Sequence, residues 1–473
     1  MGVPRLRILD EKDLDLIDAA ARALLERTGA DVNSRSAREI LVGFGAKPSG
    51  TGPRVFFPPA LIDEALQTSP REVLLASRDG KHDVRVPDGR PHVTTDGAGV
   101  NVWDIGGDQR RPSTRRDLAD LTRVADALDP VALQWPMVVA GEVPKELHVL
   151  AEVATAFENT TKHIQHEATS GAEAERLVAM ASAVVGDPGE LRRRPILSTV
   201  QCPVSPLILE KGSTEALIVL ARAGVPTAPM SMVLMGGSSP VDLASALAME
   251  TAEVLASLCV AQAAAPGAPV LWSSSSGPID MRSGGYASGS PEGALFDAIS
   301  AEMAHHYHLP SLVGGFGSDA FSPGFQAGAE KLGNGLIAML SGADLISGIG
   351  GLETDNTLSL EQLILDADLV EYAQRAIEPI RVEPDTIHLD MLTRLGPGGN
   401  FLKEKHTLVH FRDALWSPRI LLREGYVEGE ASEKRVRERA QARARELLET
   451  HHPIPLEPTV RGAIWEVAGI APP

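Results

Sequence analysis

From residue 91 onward the chain alternates between short apolar stretches and longer segments of helical spacing, with a period of roughly 35–45 residues. The sequence predicts strands over His92 to Thr95, Ala132 to Val139, His163 to Glu167, Pro195 to Val200, Pro226 to Met232, Pro269 to Ser274, Leu312 to Gly315 and Leu345 to Gly348. It predicts helices between and after them, over Thr114 to Leu128, Pro144 to Phe157, Ala172 to Val185, Ser213 to Arg222, Pro240 to Ala263, Pro291 to His306, Phe325 to Leu340 and Leu360 to Ile377. Strands that alternate with helices pair in parallel through right-handed crossovers. Eight such units in series favour a closed barrel over its rival, a doubly wound open sheet. The expected fold is therefore α/β, a (β/α)8 TIM barrel with an N-terminal helical extension and a C-terminal helical tail. The 473 residues divide into an extension over 1–90, a barrel over 91–380 and a helical segment over 381–473.

Several classes of function are excluded by composition. The net charge is −19, and a nucleic-acid partner needs a basic face. The apolar stretches read as shorter than the ~20 residues of a membrane span. The start, MGVPRLRILDEKDLDL, has no apolar run of the secretory kind, so a cytoplasmic location is expected. Two cysteines, Cys202 and Cys259, fit a reducing compartment and exclude a thiolate zinc cluster. Leu243 to Gln262 is Ala/Leu-rich on nearly all sides and must be buried, within the chain or against a subunit. Ala431 to Leu448 alternates Arg and Glu and reads as a solvated or subunit-facing helix.

Barrel chemistry sits where strands end and helices begin. Those positions hold the carboxylates Asp96, Glu142, Glu167, Asp280, Asp319 and Glu353. They also hold many of the chain's few rings, including Trp103, Trp135, Trp272, Tyr286, Phe316, Phe321 and Phe325, where aromatics total only 4%. Gly314-Gly-Phe-Gly and Gly348-Ile-Gly-Gly follow strands seven and eight, where many barrels bind phosphate, but no Lys or Arg accompanies them. His163-Ile-Gln-His-Glu has the look of a metal cluster, yet on a strand His163 and His166 point to opposite faces. No metal is expected. No nucleotide, P-loop or nucleophile-elbow motif stands in its required context. Rings and carboxylates around a mouth of small residues suit a cation.

Further stretches carry a family pattern. Gly315-Phe-Gly-Ser-Asp-Ala-Phe-Ser-Pro-Gly-Phe-Gln-Ala-Gly-Ala-Glu-Lys, Ser341-Gly-Ala-Asp-Leu-Ile, Ser359-Leu-Glu-Gln-Leu-Ile-Leu-Asp and Gly267-Ala-Pro-Val-Leu-Trp-Ser-Ser-Ser-Ser-Gly-Pro-Ile-Asp-Met-Arg-Ser-Gly occur with Gly396-Pro-Gly-Gly-Asn-Phe-Leu in characteristic order. Together they resemble the trimethylamine methyltransferase family over nearly the whole chain. Only standard residues are present, which is similar to the non-pyrrolysine branch that includes glycine betaine methyltransferases. The chain departs from the pattern at Phe321, where the family often has Lys, and at Gly324, where an Asp is expected.

The resemblance implies transfer of a methyl group from a quaternary or tertiary methylamine to Co(I) of a corrinoid (cobalamin) carried by a partner protein. No cofactor bound tightly to this chain, no nucleic acid and no membrane is implied, and a homo-oligomer is expected. On that reading Asp96, Asp319 and Glu353 are candidates to meet the substrate charge. Trp272, Tyr286 and Phe316 are candidates to pack the ammonium. Gln165, His166, Gln201, Ser274, Arg282 and Gln326 are candidates to hold the rest of the substrate. The alternatives are a barrel enzyme acting on a phosphorylated metabolite and a non-catalytic betaine-binding protein.

Overall fold

In the computed structural model, which describes residues 5–107, 109–428 and 431–472, eight parallel strands close into a barrel. Residues 1–4, part of the start read above for a secretory run, lie outside the described residues. The strands are β1 His92–Thr95, β2 Val131–Gln134, β3 His163–Glu167, β4 Leu197–Gln201, β5 Thr227–Ser231, β6 Trp272–Ser274, β7 Ser311–Val313 and β8 Leu345–Ile349. Each pairs with its sequence neighbour, and β8 closes on β1 with Leu345 opposite His92 and Ile346 opposite Val93. The helices that follow the strands are α1 Arg115–Ala127, α2 His148–Asn159, α3 Gly171–Val185, α4 Lys211–Ala223, α5 Leu243–Ala264, α6 Pro291–His306, α7 Phe325–Ser341 and α8 Leu360–Ile377. Several begin at side-chain caps the sequence supplies, such as Thr114 on the Asp117 amide, Ser290 on Gly293 and Ser359 on Gln362. The doubly wound rival is excluded by closure.

Strand alternation sorts side chains into two shells. Leu133, Val200, Met230, Leu271, Leu312 and Leu345 fill the barrel, together with Val73, Leu75, Val84 and Val86. The latter four belong to an antiparallel hairpin, Val73–Leu75 with Val84–Val86, that plugs the N-terminal end. His163 Nδ1 reaches the Ala76 carbonyl there at 3.1 Å. The extension is tied on by Ala30–Val32, which pairs in parallel with Ile208–Leu209. At the other end, Ser432–Thr450 lies on α8 and α1. Its buried Ala440, Ala444 and Leu447 correct the expectation of a solvated helix: small apolar residues line one side of the charged sequence. Between residues 381 and 416, the helices Pro384–Ile387, Leu389–Leu395 and Lys405–Ala414 bury no residue.

Helix α5 is long and apolar enough to cross a membrane by length and composition, with a mean hydropathy of 1.5, which the sequence reading did not anticipate. Of that window, 72% is buried within the protein, against α4 and the extension helices Glu11–Arg27, Arg35–Gly43 and Pro59–Thr68. Its two acids point at the outer wall of the barrel. Glu250 accepts hydrogen bonds from Ser274 at 2.5 Å and Ser300 at 2.6 Å. Glu253 accepts from Ser231 at 2.6 Å and Ser205 at 2.7 Å. Burial pushes the Glu250 carboxyl up to about 7, against the pull of its serine donors.

A raised folded-state pKa gives stability that is full below the unfolded value and lost as pH rises through the folded one. For Glu250 the window runs from about 4.5 to about 7. Glu250→Gln should shrink the difference in unfolding free energy between pH 4.5 and pH 8 by about 3 kcal/mol, read by urea melts at the two pH values.

Candidate active site

The strand ends surround a cavity of about 300 Å³ that opens to solvent. Asp96 rises from the end of β1, Trp135 from β2, Glu167 from β3, Cys202 from β4, Met230 and Met232 from β5, and Ser275 from β6. Gly314, Gly315 and Gly317 follow β7, and Ser347 and Gly348 belong to β8. Tyr286, Ser288 and, from α6, Asp297 complete one side, and Thr354, Asp355 and Asn356 the other. No Lys, Arg or His is among the described lining residues.

Two glycines are required by shape. A Cβ on Gly97 would stand 2.2 Å from Trp135 Nε1, so the indole edge lies on bare backbone beside Asp96. Gly348 has φ +115°, and a Cβ there would meet the Phe316 carbonyl carbon at 2.5 Å. The loop after β8 is strained: Glu353, Thr354 and Asp355 have φ of 56°, 52° and 66°. Left-handed backbone costs a non-glycine residue roughly 1–2 kcal/mol, and such strain persists only where the surroundings impose it. Here the loops after β1 and β8 form a small sheet, Arg110–Pro112, Asn101–Trp103, Thr357–Ser359 and Gly351–Leu352, that fixes the turn. Thr354 also bonds Asp319 at 3.1 Å and the Tyr286 carbonyl at 3.3 Å.

That turn carries Asp355 to Asp96. A Cβ on Gly351 would lie 2.3 Å from Asp96 Oδ2 and 2.9 Å from Asp355 Oδ1. Neither oxygen has a donor among the described residues. Burial and then the neighbouring Asp355 charge hold the Asp96 carboxyl well above the usual range, while Lys331 and the Gly97 amide oppose the rise. Asp297 is also raised, by burial and then by Glu250, and accepts the Gly314 amide at 3.1 Å. Burial lifts the Cys202 thiol to about 12, so it stays protonated and is no nucleophile. Beneath the floor, the fully buried Lys331 donates to the Phe316 and Gly348 carbonyls at 2.6 and 2.8 Å and stands 3.1 Å from Asp366.

Of the twelve residues nominated from sequence, Asp96 and Tyr286 line this cavity. Trp272 does not, because its parity turns it outward: it stacks on Tyr307 at 5.1 Å and bonds Ser300. Ser274 shares that parity and is spent on Glu250. His166 likewise faces α2, where Glu152 Oε2 lies 2.7 Å away. Burial disfavours the charged imidazole most strongly, but the Glu152 bond together with the charges of Glu152, Glu167 and Glu173 leaves its pKa raised. Phe316 is fully buried against Gly335 of α7. Gln165 lies inside the barrel on Ser198, and Gln201 is held by Thr199 and Ser213. Asp319 accepts from Ser288, Gly289 and Thr354 and fastens loops. Glu353 pairs with Arg110, Arg282 with Asp280, and Gln326 with Glu330, all toward solvent. Trp135 and Glu167 were visible at strand ends but given no role, although inward parity distinguishes them. Asp297 and Asp355 had no sequence signal, since one comes from a helix and the other from a strained turn.

A cation meets rings and carboxylates here, and an anion meets no counter-charge, which removes the support for a phosphorylated substrate. A family model described as trimethylamine methyltransferase matches residues 1–467. Trimethylamine methyltransferase MttB of Desulfitobacterium hafniense (strain DSM 10664 / DCB-2) is 33% identical over 463 residues, covering 97% of this chain and 92% of that protein. Glycine betaine methyltransferase of Desulfitobacterium hafniense (strain Y51) is 28% identical over 461 residues, covering 97% and 95%. The crystal structure of the Methanosarcina barkeri monomethylamine methyltransferase matches with a TM-score of 0.52 at 14% identity, over 94% of this chain and 96% of that one, a likeness of fold.

Asp355→Asn removes the like charge facing Asp96. The Asp96 carboxyl should then titrate at lower pH, by about one unit or more, in carboxyl-stretch infrared difference spectra. An unmoved titration would mean that the two carboxyls do not interact.

Proposed function

The chain belongs to the trimethylamine methyltransferase family, and from that membership we propose how its cavity serves methyl transfer from a quaternary or tertiary methylamine to the corrinoid of a partner protein. The observation that carries this reading is the cavity's lining of acids and rings without a basic side chain. Asp96, Glu167 and Asp355 hold the ammonium by charge. Trp135 and Tyr286 offer ring faces, each worth about 0.5–2 kcal/mol to a cation in a desolvated site. The lining around them excludes water and fixes one N-methyl group toward the open end. The leaving nitrogen of a quaternary ammonium departs as a neutral amine, so no general acid is required of the chain.

A partner-borne group fits the mouth. The exposed Met232 lines the cavity and the exposed Val100 the adjoining groove, apolar surface that would meet the flat face of a corrinoid. That group, when bound, supplies the two-electron nucleophile that takes the methyl group. The chain's own work is binding, orientation and desolvation. The exposed Leu389, Leu402 and Leu408 of the segment 381–416 support a homo-oligomer, and the charge and cysteine content support a cytoplasmic location.

The test is turnover. With a Co(I) corrinoid protein and a panel of methylated amines, Co(I) absorbance should fall as demethylated amine accumulates in equal amount. Trp135→Ala should raise KM for the amine about tenfold, with kcat changed less. Tight binding of a phosphorylated compound with no amine demethylated would contradict the proposal.

A further inference from the structure

Resting on that reading of the cavity, we infer that the substrate is a hydroxylated quaternary ammonium, a hydroxyalkyl trimethylammonium, and not an amine bearing a carboxylate. Two features of the lining point there. The first is charge. Asp96, Glu167, Asp297 and Asp355 share a cavity of about 300 Å³ that holds no Lys, Arg or His. Lys331 is fully buried below it and is already committed to two carbonyls and Asp366. The neighbouring groove, which shares only Ala98 and Glu167 with the cavity, holds Lys145, Arg176 and His148, the last on the Val143 carbonyl. Arg176 is spent on the Val467 carbonyl, and Glu167 stands between that groove and the cavity. A carboxylate on the substrate would enter a field of its own sign with no partner.

The second feature is an unmatched donor among unmatched acceptors. Trp135 Nε1 is buried and has no acceptor, and Asp96 Oδ2 and Asp355 Oδ1 have no donor, all among the described residues. Asp96 is only 7% exposed. The indole lies on Gly97, next in sequence to Asp96, so the donor and an acceptor come from the same end of β1 and its neighbour β2. A hydroxyl is the small neutral group that accepts one hydrogen bond and donates another. Protonated trimethylamine can donate but offers nothing to the indole, and tetramethylammonium does neither. The methyl-transfer step is unchanged: the N–CH3 bond breaks, its electron pair stays on nitrogen, and the hydroxylated tertiary amine leaves neutral. The methyl group would pass to the nucleophile that the partner's corrinoid supplies.

Calorimetric binding to the full chain decides the matter, with (2-hydroxyethyl)trimethylammonium, tetramethylammonium, trimethylamine and glycine betaine as probes. The hydroxylated cation should bind roughly a hundredfold tighter than glycine betaine. It should bind about tenfold tighter than tetramethylammonium or trimethylamine. Trp135→Phe, which keeps a ring but removes the N–H, should abolish that tenfold advantage. Glycine betaine binding as well as the hydroxylated cation overturns the inference and leaves the methyltransferase reading standing. Tetramethylammonium or trimethylamine binding equally well does the same. Failure of every methylated amine to bind overturns both.

Discussion

One buried ammonium holds the floor of the cavity in place. Lys331 Nζ joins the Phe316 carbonyl beyond β7 to the Gly348 carbonyl of β8, and it reaches Asp366 on α8. Asp366 in turn accepts the Gly350 amide at 2.7 Å and a Gln362 amide proton at 2.7 Å. Both members of the pair are fully buried. Burial raises the Asp366 carboxyl and the Lys331 ammonium opposes the rise. Such a pair adds little net stability over apolar packing, but removal of one member leaves an uncompensated charge inside the protein. Its value here is geometric. It pins the last two strand ends and two helices at the point where Gly348 must approach the Phe316 backbone. The strained turn at Glu353–Asp355 starts only a few residues further on, and Asp355 is placed from that fixed base.

Most of the barrel was legible in the sequence. Pro291 to His306, Leu360 to Ile377 and His163 to Glu167 were read with their observed limits, because a Pro or Ser cap, a helical period or a run of inward and outward residues marks each end. Strand β2 was read too long, as Ala132 to Val139, where the structure ends it at Gln134. Beyond that residue the apolar chain runs into the mouth, and composition alone does not distinguish a strand from an ordered loop. The pairing of Ala30–Val32 with Ile208–Leu209 had no local signal, since it joins segments far apart in the chain.

The candidate site was less legible, for a reason the parity of the strands explains. Strand-end position gave a fair list of polar and aromatic residues, and alternation then divides it. Trp272, Ser274 and His166 fall on the outer shell, and Asp96, Trp135 and Glu167 on the inner one. That division was applied to His163 and His166 and would have served equally for the rings. Asp355 required the fold itself, because it depends on three consecutive left-handed residues that no sequence motif announces.

The account turns on a pair of facing carboxyls, Asp96 and Asp355, kept together in a cavity without a basic group until a cation arrives. Burial and the facing Asp355 charge raise the Asp96 carboxyl, and a bound cation offsets both, so cation binding is linked to proton release. Titration of tetramethylammonium chloride into the protein near neutral pH, in buffers of different ionisation enthalpy, counts the protons exchanged. Release of protons as the cation binds is the predicted result. Binding heats that are the same in every buffer, with no proton released, would contradict it.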